Sequence, residues 1–321
     1  MADEKAPSEL ETLTLALLHS RGEVGRLRER ERLVGSLLDS LNVVLWALDW
    51  EAQKVVYVSP AYERIFGRSA ALLLAGYDEW RNAIYPDDMD YAAESLESVH
   101  RLGSVEQREY RIVRGDGELR WLSDKCFLSS PRLLGGQSLI VGIAEDITEK
   151  KALQSELHRL ATRDVLTGAS NRRHFFERAG ELFAEACTAG QPLAFLLLDI
   201  DNFKQINDGH GHQMGDRVLQ RVAHCGAYVL RRDDLFGRIG GEEFAALFPG
   251  CDSQQARLAA ERLQREVQRL QFAAGESSFG VTVSQGLTEL RGGDQLDDLY
   301  ARADQAMYQA KRQGKDCIVL G

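Results

Sequence analysis

The sequence predicts an α+β fold of two domains that are joined by a helix. Its length, 321 residues, is typical of two domains rather than one. Apolar segments of strand and helix character alternate in two blocks, residues 42–148 and 164–321. Residues 149–163 between them are polar, contain no proline and carry leucines at helical spacing. We therefore expect two folded units and a helical linker.

Composition narrows the class of protein. Hydrophobic residues make up 44% of the chain and charged residues 27%, which is ordinary for a globular protein. No apolar run approaches the ~20 residues that span a bilayer, and the start, MADEKAPSEL, lacks the apolar core of a secretory signal. The scattered cysteines form no CxxC pair, as expected in a reducing compartment. These features predict a cytoplasmic protein without membrane insertion.

The net charge bears on the partners. The formal charge is −10 at pH 7. Nucleic acid is therefore not expected as the main partner, because binding to its phosphates requires a basic surface. A single nucleotide is not excluded, since it needs only a local group of cations or a bound metal.

Residues 1–41 predict an N-terminal helix. Apolar side chains recur with a period of seven between Leu10 and Leu41, which is the pattern of a coiled-coil seam. Three glycines inside the segment each weaken that helix by about 1 kcal/mol relative to alanine. The helix either pairs with a second chain or packs on its own domain.

The first block, residues 42–148, contains paired strands, short helices and a hairpin. VVLWALDW and KVVYVSP are strand-like, and EYRIVRGDGELRWLSDKCFL is a hairpin with Gly115, Asp116 and Gly117 at its turn. Together with AYERIFGRS, WRNAIYPDDMD and the exit GIAEDITEKK, these segments resemble a PAS sensor domain. The resemblance implies an antiparallel sheet with flanking helices and a sensory role, with the ligand unknown.

A few side chains of this block are candidates for ligand contacts. Trp46, Trp50 and Trp80 either line a pocket or fill the core, and we expect the core. His100 could be proposed as a haem ligand, but a lone histidine on an amphipathic helix is more often a surface or capping residue.

The linker, residues 149–163, places Leu153, Leu157 and Leu160 on one helical face. A stiff helix transmits rotation between domains, which a Gly/Ser linker does not. We expect a signalling helix; a plain spacer is the alternative.

The second block, residues 164–321, has its own order of elements. LAFLLLDID is an almost continuous apolar strand, as expected of a strand buried on both faces. A helix, a hairpin, a second helix, a strand and a last helix follow it. Helices backing an antiparallel sheet predict a ferredoxin-like α+β core.

Three distant pieces of this block place charge at the ends of elements. Asp199 and Asp201 end the buried strand, GGEE follows at 240–243, and Lys311 and Lys315 share one face of the last helix. Carboxylates from neighbouring strand ends form the oxygen site that Mg²⁺ prefers. Glycines let a phosphate or base approach the backbone, and lysines neutralise phosphate charge. The pattern predicts a metal and nucleotide site.

Several of these residues also have alternative interpretations. Asp201 could instead cap the following helix, and the two lysines could be a solvated helix face. His210 and His212 suggest zinc, but no cysteine or third histidine lies at ligand spacing. GxxxxGK[ST] and a GxGxxG after a strand are both absent, so a P-loop kinase or a Rossmann dehydrogenase is not expected.

Five stretches of the second block carry a family resemblance. They are RDVLTGASNRR, LLLDIDNFKQINDGHGHQMGD, RIGGEEF, TVSQG and ADQAMYQAKRQGKD. Their order and spacing are similar to those of the GGDEF family of diguanylate cyclases. The resemblance implies a nucleotide-cyclase-like fold and the condensation of two GTP molecules into cyclic di-GMP with release of two pyrophosphates. It also implies a homodimer in which each domain holds one GTP.

The resemblance also implies roles for individual residues. Divalent metal, Mg²⁺ or Mn²⁺ with two ions per GTP, would be held by Asp199, the Ile200 carbonyl, Glu242 and Glu243. Glu242 would accept the proton of the 3′-hydroxyl. The remaining substrate-binding positions would be Phe203, Lys204, Asn207, His212, Asp216, Gly240, Gly241, Lys311 and Lys315. Among these, Asn207 and Asp216 would bind guanine, and the lysines would meet the phosphates.

A second ligand site is implied upstream of the glycines. Arg231-Arg232-Asp233-Asp234 matches the RxxD inhibitory site of the family, in which Arg231 and Asp234 would hold product cyclic di-GMP. Arg262 on the next helix would complete the site. A charged helix end beside a turn is the alternative.

The chain departs from the family pattern at three positions. GGEEF has Glu242 where the motif has Asp, which keeps a carboxylate. Lys315 replaces the usual Arg and loses its bidentate fork, and Ala169 replaces a Leu. Two alternative functions stay open. The chain could be a catalytically silent receptor for GTP or cyclic di-GMP that regulates a partner. Alternatively, its PAS domain could serve as a scaffold for another protein.

Overall fold

The computed structural model describes residues 43–103, 106–129, 139–274 and 277–321, together with four single positions between 26 and 35. The chain divides into two compact units, Met1–Gln154 and Ser155–Gly321. The predicted coiled-coil helix of residues 1–41 lies outside the described residues except for those four positions, and it stays a prediction. Within the described part of the chain, no helix is long and apolar enough to span a membrane.

The first unit is built on a five-stranded antiparallel sheet of order β2-β1-β5-β4-β3. Its strands are β1 (Val43–Asp49), β2 (Lys54–Val58), β3 (Glu106–Val113), β4 (Leu119–Leu128) and β5 (Leu139–Asp146). The predicted hairpin is confirmed as β3 and β4, with Gly117 at φ +87° in its turn. Buried and exposed residues alternate along the middle of β4, as expected of a sheet with one covered face.

Short helices cover that face. They are α1 (Ala61–Phe66), α2 (Ala70–Ala75), α3 (Asp78–Ala83), a 3₁₀ turn (Pro86–Asp88) and α4 (Met89–Leu102). Leu96 and Val99 of α4 pack with Tyr110, Ile112 and Leu122 of the sheet in one hydrophobic core. The fold predicted from the PAS resemblance is confirmed.

The linker helix is present as α5 (Thr148–Thr162). None of its residues is buried, and Leu153, Leu157 and Leu160 are all exposed. The division between the two units falls within this helix, after Gln154.

The second unit contains a five-stranded sheet of order β12-β11-β6-β8-β7. The strands are β6 (Leu193–Ile200), β7 (Leu235–Arg238), β8 (Glu243–Pro249), β11 (Val283–Glu289) and β12 (Ile318–Leu320). A separate hairpin is formed by β9 (Phe272–Ala274) and β10 (Ser277–Phe279). The helices are α6 (Arg172–Ala189), α7 (Phe203–His210), α8 (His212–Val229), α9 (Ser253–Gln268) and α10 (Leu296–Arg312).

Strand β6 is the centre of this sheet, and all eight of its residues are buried, as its apolar sequence predicts. Leu196 and Leu198 face a core shared with α8 and α9. Phe195 and Leu197 face a second core shared with α6 and α10. Helices therefore cover both faces of the sheet, and polar side chains at the end of β6 can reach solvent only where the strand stops.

Candidate active site

Two strand ends bring the predicted carboxylates together. Asp199 on β6 lies directly across the antiparallel ladder from Glu243 on β8. The next backbone hydrogen bond joins Ile200 N to Glu242 O at 3.4 Å. Like charges directly opposite each other in a sheet are unfavourable. Their meeting at this edge therefore indicates that a cation belongs there.

Asp199 is the most perturbed of these groups. Its residue is 6% exposed, and Lys311 Nζ lies 2.8 Å from its Oδ2. Burial raises the pKa of Asp199 to about 6; Lys311 opposes that rise, whereas the charges of Glu242 and Glu243 add to it. The ion pair with Lys311 therefore offsets only part of the cost of burying the Asp199 charge.

The residues fit a divalent metal by their chemistry. The carboxylates and the Ile200 carbonyl are hard oxygen donors of the kind that Mg²⁺ accepts. The ammonium group of Lys311 already lies beside Asp199 and supplies positive charge there. Among the described residues, no three acidic, histidine or cysteine side chains already converge around a single point. A metal would thus be bound by carboxylates that turn toward it.

The glycines of the turn have different surroundings. A Cβ on Gly240 would lie 2.5 Å from Glu243 Oε2, so the missing side chain is what lets Glu243 fold back across the turn. A Cβ on Gly241 would meet nothing within 4 Å. A side chain at position 240 would therefore displace the Glu243 carboxylate, whereas Gly241 faces open space in which a ligand can approach.

Arg238 fastens this turn, a role that the sequence analysis missed. Its Nε and Nη2 donate to the Gly241 carbonyl at 3.0 and 2.7 Å. Its Nη1 donates to Asp164 at 3.1 Å. Burial acts to raise the pKa of Asp164, but hydrogen bonds from Thr167 and Arg238 outweigh it and hold that pKa below its usual value. The RDVLTG stretch therefore anchors the glycine turn.

Asp201 has a structural role, and the alternative of a helix cap is wrong. It is buried and accepts hydrogen bonds from Ser284 Oγ at 2.6 Å and Thr282 Oγ1 at 2.7 Å. The backbone N–H of Asp316 donates to it at 3.1 Å. The N-cap of α7 is the next residue, Asn202, at φ +56°. Asp201 thus ties the end of β6 to β11 and to the loop after α10.

The prediction that Lys311 and Lys315 share a face of the last helix is wrong, because α10 ends at Arg312 and Lys315 lies in the loop after it. Both lysines have protein partners. Lys311 contacts Asp199, and Lys315 Nζ donates to Asn202 Oδ1. Lys315 itself has φ +66°, a left-handed conformation that costs a non-glycine residue energy. Lys204, in the first turn of α7, is exposed.

The predicted guanine-binding residues lie where α7 and α8 meet. The turn between these helices is made by Gly211 at φ +81°. Asn207 is half-buried, and His212 and Asp216 are exposed. A side chain on Gly215 would collide with Asn207 Oδ1, so that glycine fixes where the amide sits.

Two residues of α7, Phe203 and His210, contact other parts of the protein through their rings. The ring of Phe203, predicted to touch substrate, packs in the core that α8 and α9 share with the sheet. His210, which the zinc alternative involved, stacks on Phe279 with ring centroids 4.6 Å apart.

The predicted inhibitory residues form a compact turn. Arg231 N donates to Asp234 Oδ2 at 2.8 Å, and Asp234 N donates to the Arg231 carbonyl at 3.2 Å. Burial raises the pKa of Asp234, whereas the charges of Arg231 and Arg262 lower it. Arg231 and Asp234 line a cavity of about 860 Å³ that also includes His174 and Arg178. Arg262 lies outside that lining.

Comparison with known proteins places the chain in a family. The profile described as "Diguanylate cyclase, GGDEF domain" matches residues 161–317, and that of the PAS fold matches residues 55–142. A diguanylate cyclase of Vibrio cholerae is 31% identical over 88% of this chain and 88% of its own length. The chain belongs to the GGDEF family of diguanylate cyclases. Members of this family are nucleotidyltransferases that make cyclic di-GMP.

Solved structures of GGDEF proteins agree with that assignment. Diguanylate cyclase SiaD of Pseudomonas aeruginosa, solved with its activator SiaC, is 27% identical with a TM-score of 0.51, over 98% of this chain and 92% of that chain. The coiled coil and GGDEF domain of DgcB from Caulobacter crescentus, solved with c-di-GMP, is 30% identical with a TM-score of 0.52, over 55% and 93%. Some relatives are longer: the chain spans 36% of an uncharacterized Sinorhizobium fredii protein, y4lL, at 31% identity.

Proposed function

We propose that this chain is a diguanylate cyclase that condenses two GTP molecules into cyclic di-GMP and releases two pyrophosphates. The observation that carries the proposal is that the ends of β6 and β8 place Asp199 directly across the ladder from Glu243, next to Glu242 in sequence, with Lys311 Nζ 2.8 Å from Asp199 Oδ2. An excess of carboxylate at a glycine turn, with a cation close by, suits the binding of metal and triphosphate together.

In the reaction, a ribose 3′-oxygen forms a bond to the α-phosphorus of the other GTP, and the bond from that phosphorus to pyrophosphate breaks. The 3′-hydroxyl proton passes to a carboxylate, for which Glu242 is the candidate. The step occurs twice and closes the ring. Divalent ions held by Asp199, Glu242, Glu243 and the Ile200 carbonyl would offset the charge on the phosphoryl oxygens and acidify the hydroxyl.

The lysines would exchange partners when substrate binds. Lys311 would turn from Asp199, and Lys315 from Asn202, toward the β- and γ-phosphates, which Lys204 would also contact. A metal would then take over the charge compensation of Asp199. Pairing the ammonium groups with protein acceptors in the free enzyme keeps them at this edge until then.

Guanine would be selected at the α7–α8 turn. Asn207 and Asp216 offer acceptors for the guanine N1–H and N2–H₂, with His212 beside them. ATP would leave such an acceptor unpaired, which discriminates strongly against it.

The proposed function also includes dimerisation, regulation by the PAS domain and inhibition by product. Two cyclase domains must face each other to present two GTPs, and the exposed leucines of α5 offer an apolar stripe for a homodimer. A signal at the PAS domain would change how the two domains meet. Product bound between Arg231 and Asp234 would inhibit the enzyme, supported by their compact turn and the cavity beside it.

The test is incubation of the purified chain with Mg²⁺ and GTP, followed by mass spectrometry for cyclic di-GMP. The wild type is expected to make it, Asp199→Asn is not, and Asp304→Asn, an exposed carboxylate of α10, serves as the control. A folded, dimeric preparation that binds GTP but makes no product would instead support the receptor function.

A further inference from the structure

The loop that carries Lys315 has a backbone conformation that its residues do not favour. It follows the end of α10 at Arg312 and leads into β12 at Ile318. Lys315 has φ +66° and the next residue, Asp316, has φ +47°, so two successive residues with side chains lie in the left-handed region. Residues other than glycine persist there only where surrounding contacts hold them. The contacts of this loop therefore decide where Lys315 lies.

Asp316 is the residue through which the rest of the domain holds this loop. Its backbone N–H donates to Asp201 Oδ2 at 3.1 Å, just after β6. Gln264 Nε2 donates to the Asp316 carbonyl at 2.6 Å and to its Oδ1 at 3.0 Å. Gln268 Nε2 donates to both carboxylate oxygens of Asp316 at 2.8 Å. The end of β6 and two side-chain amides thus fix the backbone and the side chain of this one residue.

Both glutamines belong to α9, the helix Ser253–Gln268. They are four positions apart, so they lie on the same face of the helix, one turn from each other. Gln264 is half-buried, and Gln268, the last residue of the helix, is exposed. Neither is among the residues that the sequence analysis assigned to substrate, metal or product. Their amides nevertheless both point at the loop of a predicted phosphate-binding lysine.

Lys315 reaches the strand edge from this loop. Its backbone N–H donates to the Ala310 carbonyl at 3.0 Å, and its Nζ donates to Asn202 Oδ1. Asn202 directly follows Asp201, which accepts from the backbone N–H of Asp316. Contacts are therefore continuous from α9 through Asp316 to the residue that carries the ammonium group.

We propose that Gln264 and Gln268 are positioning residues for the triphosphate of the substrate. They hold Asp316 in its left-handed conformation and thereby keep the Lys315 ammonium group at the strand edge, where the β- and γ-phosphates of GTP meet it. Neither glutamine touches the substrate. This inference rests on the proposed binding of GTP by Lys315, and it adds the helix that orients that lysine.

Calorimetric titration of the full chain in Mg²⁺ tests the inference with two nucleotides. One is a GTP analogue with a methylene group between the α- and β-phosphorus, which cannot release pyrophosphate. The other is GMP, which has no β- or γ-phosphate for Lys315 to contact. Replacing both glutamines, by Gln264→Ala together with Gln268→Ala, should weaken binding of the analogue about fivefold, because Lys315 is no longer aimed at the charged phosphates. Binding of GMP should stay unchanged.

Matched variants separate this effect from a general loss of structure. Gln254→Ala, at an exposed glutamine of the same helix, should bind both nucleotides like the wild type. Gln268→Glu keeps the side-chain volume but places a carboxylate beside that of Asp316, and it should also weaken binding of the analogue alone. Melting curves report whether each variant folds.

A double-mutant cycle with Lys315 identifies the group through which the glutamines act. Lys315→Met removes the ammonium group, so adding both glutamine substitutions to it should change binding of the analogue less than about twofold. The inference is overturned if the two glutamine substitutions leave binding of the analogue unchanged, weaken binding of GMP equally, or keep their full effect in the Lys315→Met chain.

Product formation distinguishes this inference from the proposed function. A chain that shows the expected binding pattern but makes no cyclic di-GMP contradicts the cyclase activity and leaves the role of the glutamines intact. A chain that makes cyclic di-GMP but binds the analogue equally well with and without the two glutamines contradicts this inference alone. A wild-type chain that binds no analogue overturns both.

Discussion

Two buried aspartates of this protein face opposite kinds of neighbour. Asp124 in the PAS sheet lies directly across the ladder from Arg108, its ion-pair partner. Asp199 in the cyclase sheet lies directly across from another carboxylate, Glu243. Opposite charges across a ladder are favourable and like charges are unfavourable. The same residue type is thus paired across the ladder with an opposite charge in one domain and with a like charge in the other.

The cations that pair with the two aspartates also differ, both in exposure and in the number of their partners. Arg108 is 1% exposed and held by several acceptors, so it is fixed. Lys311 is 34% exposed and contacts Asp199 through one flexible ammonium group. A fixed cation serves structure, whereas an exchangeable one leaves the carboxylate available to a ligand. The Arg108–Asp124 pair is therefore suited to a structural role, and the Lys311–Asp199 pair to exchange with a ligand.

Neutralising each aspartate is expected to have the largest and most contrasting effects. Asp124→Asn should lower the free energy of unfolding by about 3–5 kcal/mol, because it leaves Arg108 buried and uncompensated. Asp199→Asn should not destabilise the fold, since it removes one of three crowded carboxylates, but it should abolish cyclic di-GMP synthesis. Urea unfolding and the product assay, run on both variants, measure this. Comparable destabilisation by the two substitutions would contradict the difference inferred between Asp124 and Asp199.

Loss of the anchor of the glycine turn should come next. Arg238→Ala removes the donors that hold the Gly241 carbonyl and the ion pair with Asp164. A displacement of about 1 Å in such a site lowers the rate about 100-fold. Arg257→Ala, in an exposed pair with Glu261, is the control. Initial rates with GTP measure the effect, and equal rates for the two variants would remove the anchoring role.

The pH dependence of stability should report the burial of Asp199. The pKa of Asp199 is raised from 3.8 to about 6, so between these values the folded metal-free chain binds more protons than the unfolded chain. Stability contributed by this group is therefore present at low pH and lost as pH rises to about 6, by about 1–3 kcal/mol. The difference in unfolding free energy between wild type and Asp199→Asn, followed from pH 4 to 7, isolates it. A difference that grows in favour of the wild type with rising pH would contradict this sign.

The smallest expected effect concerns the inhibitory site. Arg231→Ala should leave the initial rate unchanged and raise the product yield at late times a few-fold, because product no longer binds beside Asp234. Arg257→Ala again serves as the control. Progress curves that plateau at the same yield for both variants would remove the inhibitory role.

Contiguous stretches could be predicted from the sequence, whereas long-range contacts could not. The apolar run of β6 predicted a strand that is buried on both faces. The GGEE turn indicated where the neighbouring strand begins. The contact of Arg238 with Asp164 spans 74 positions and depends on sheet register, which no local pattern reveals. The role of Asp201 is hidden for the same reason, since its partners are Thr282, just before β11, and Ser284 on β11.

The PAS core shows a related limit. Alternation along β3 places Arg108 on the face that carries Tyr110 and Ile112, but an arginine is rarely buried there without a partner. Its burial depends on Asp124 lying directly opposite, in a register that only the assembled sheet defines. All three tryptophans expected in the core pack against it; Trp46 and Trp80 also line a small cavity of the first unit, and Trp50 also stacks on His100. His100 lies outside that lining, which removes the support for a haem ligand there.

The most direct test of the account is the binding of Mn²⁺, followed by electron paramagnetic resonance in the presence of a non-hydrolysable GTP analogue. If the carboxylates of β6 and of the glycine turn share a divalent ion, Asp199→Asn and Glu242→Gln will each weaken Mn²⁺ binding at least about tenfold. Asp304→Asn will bind it like the wild type. Wild-type affinity in both of the first two variants would show that these carboxylates do not form the metal site.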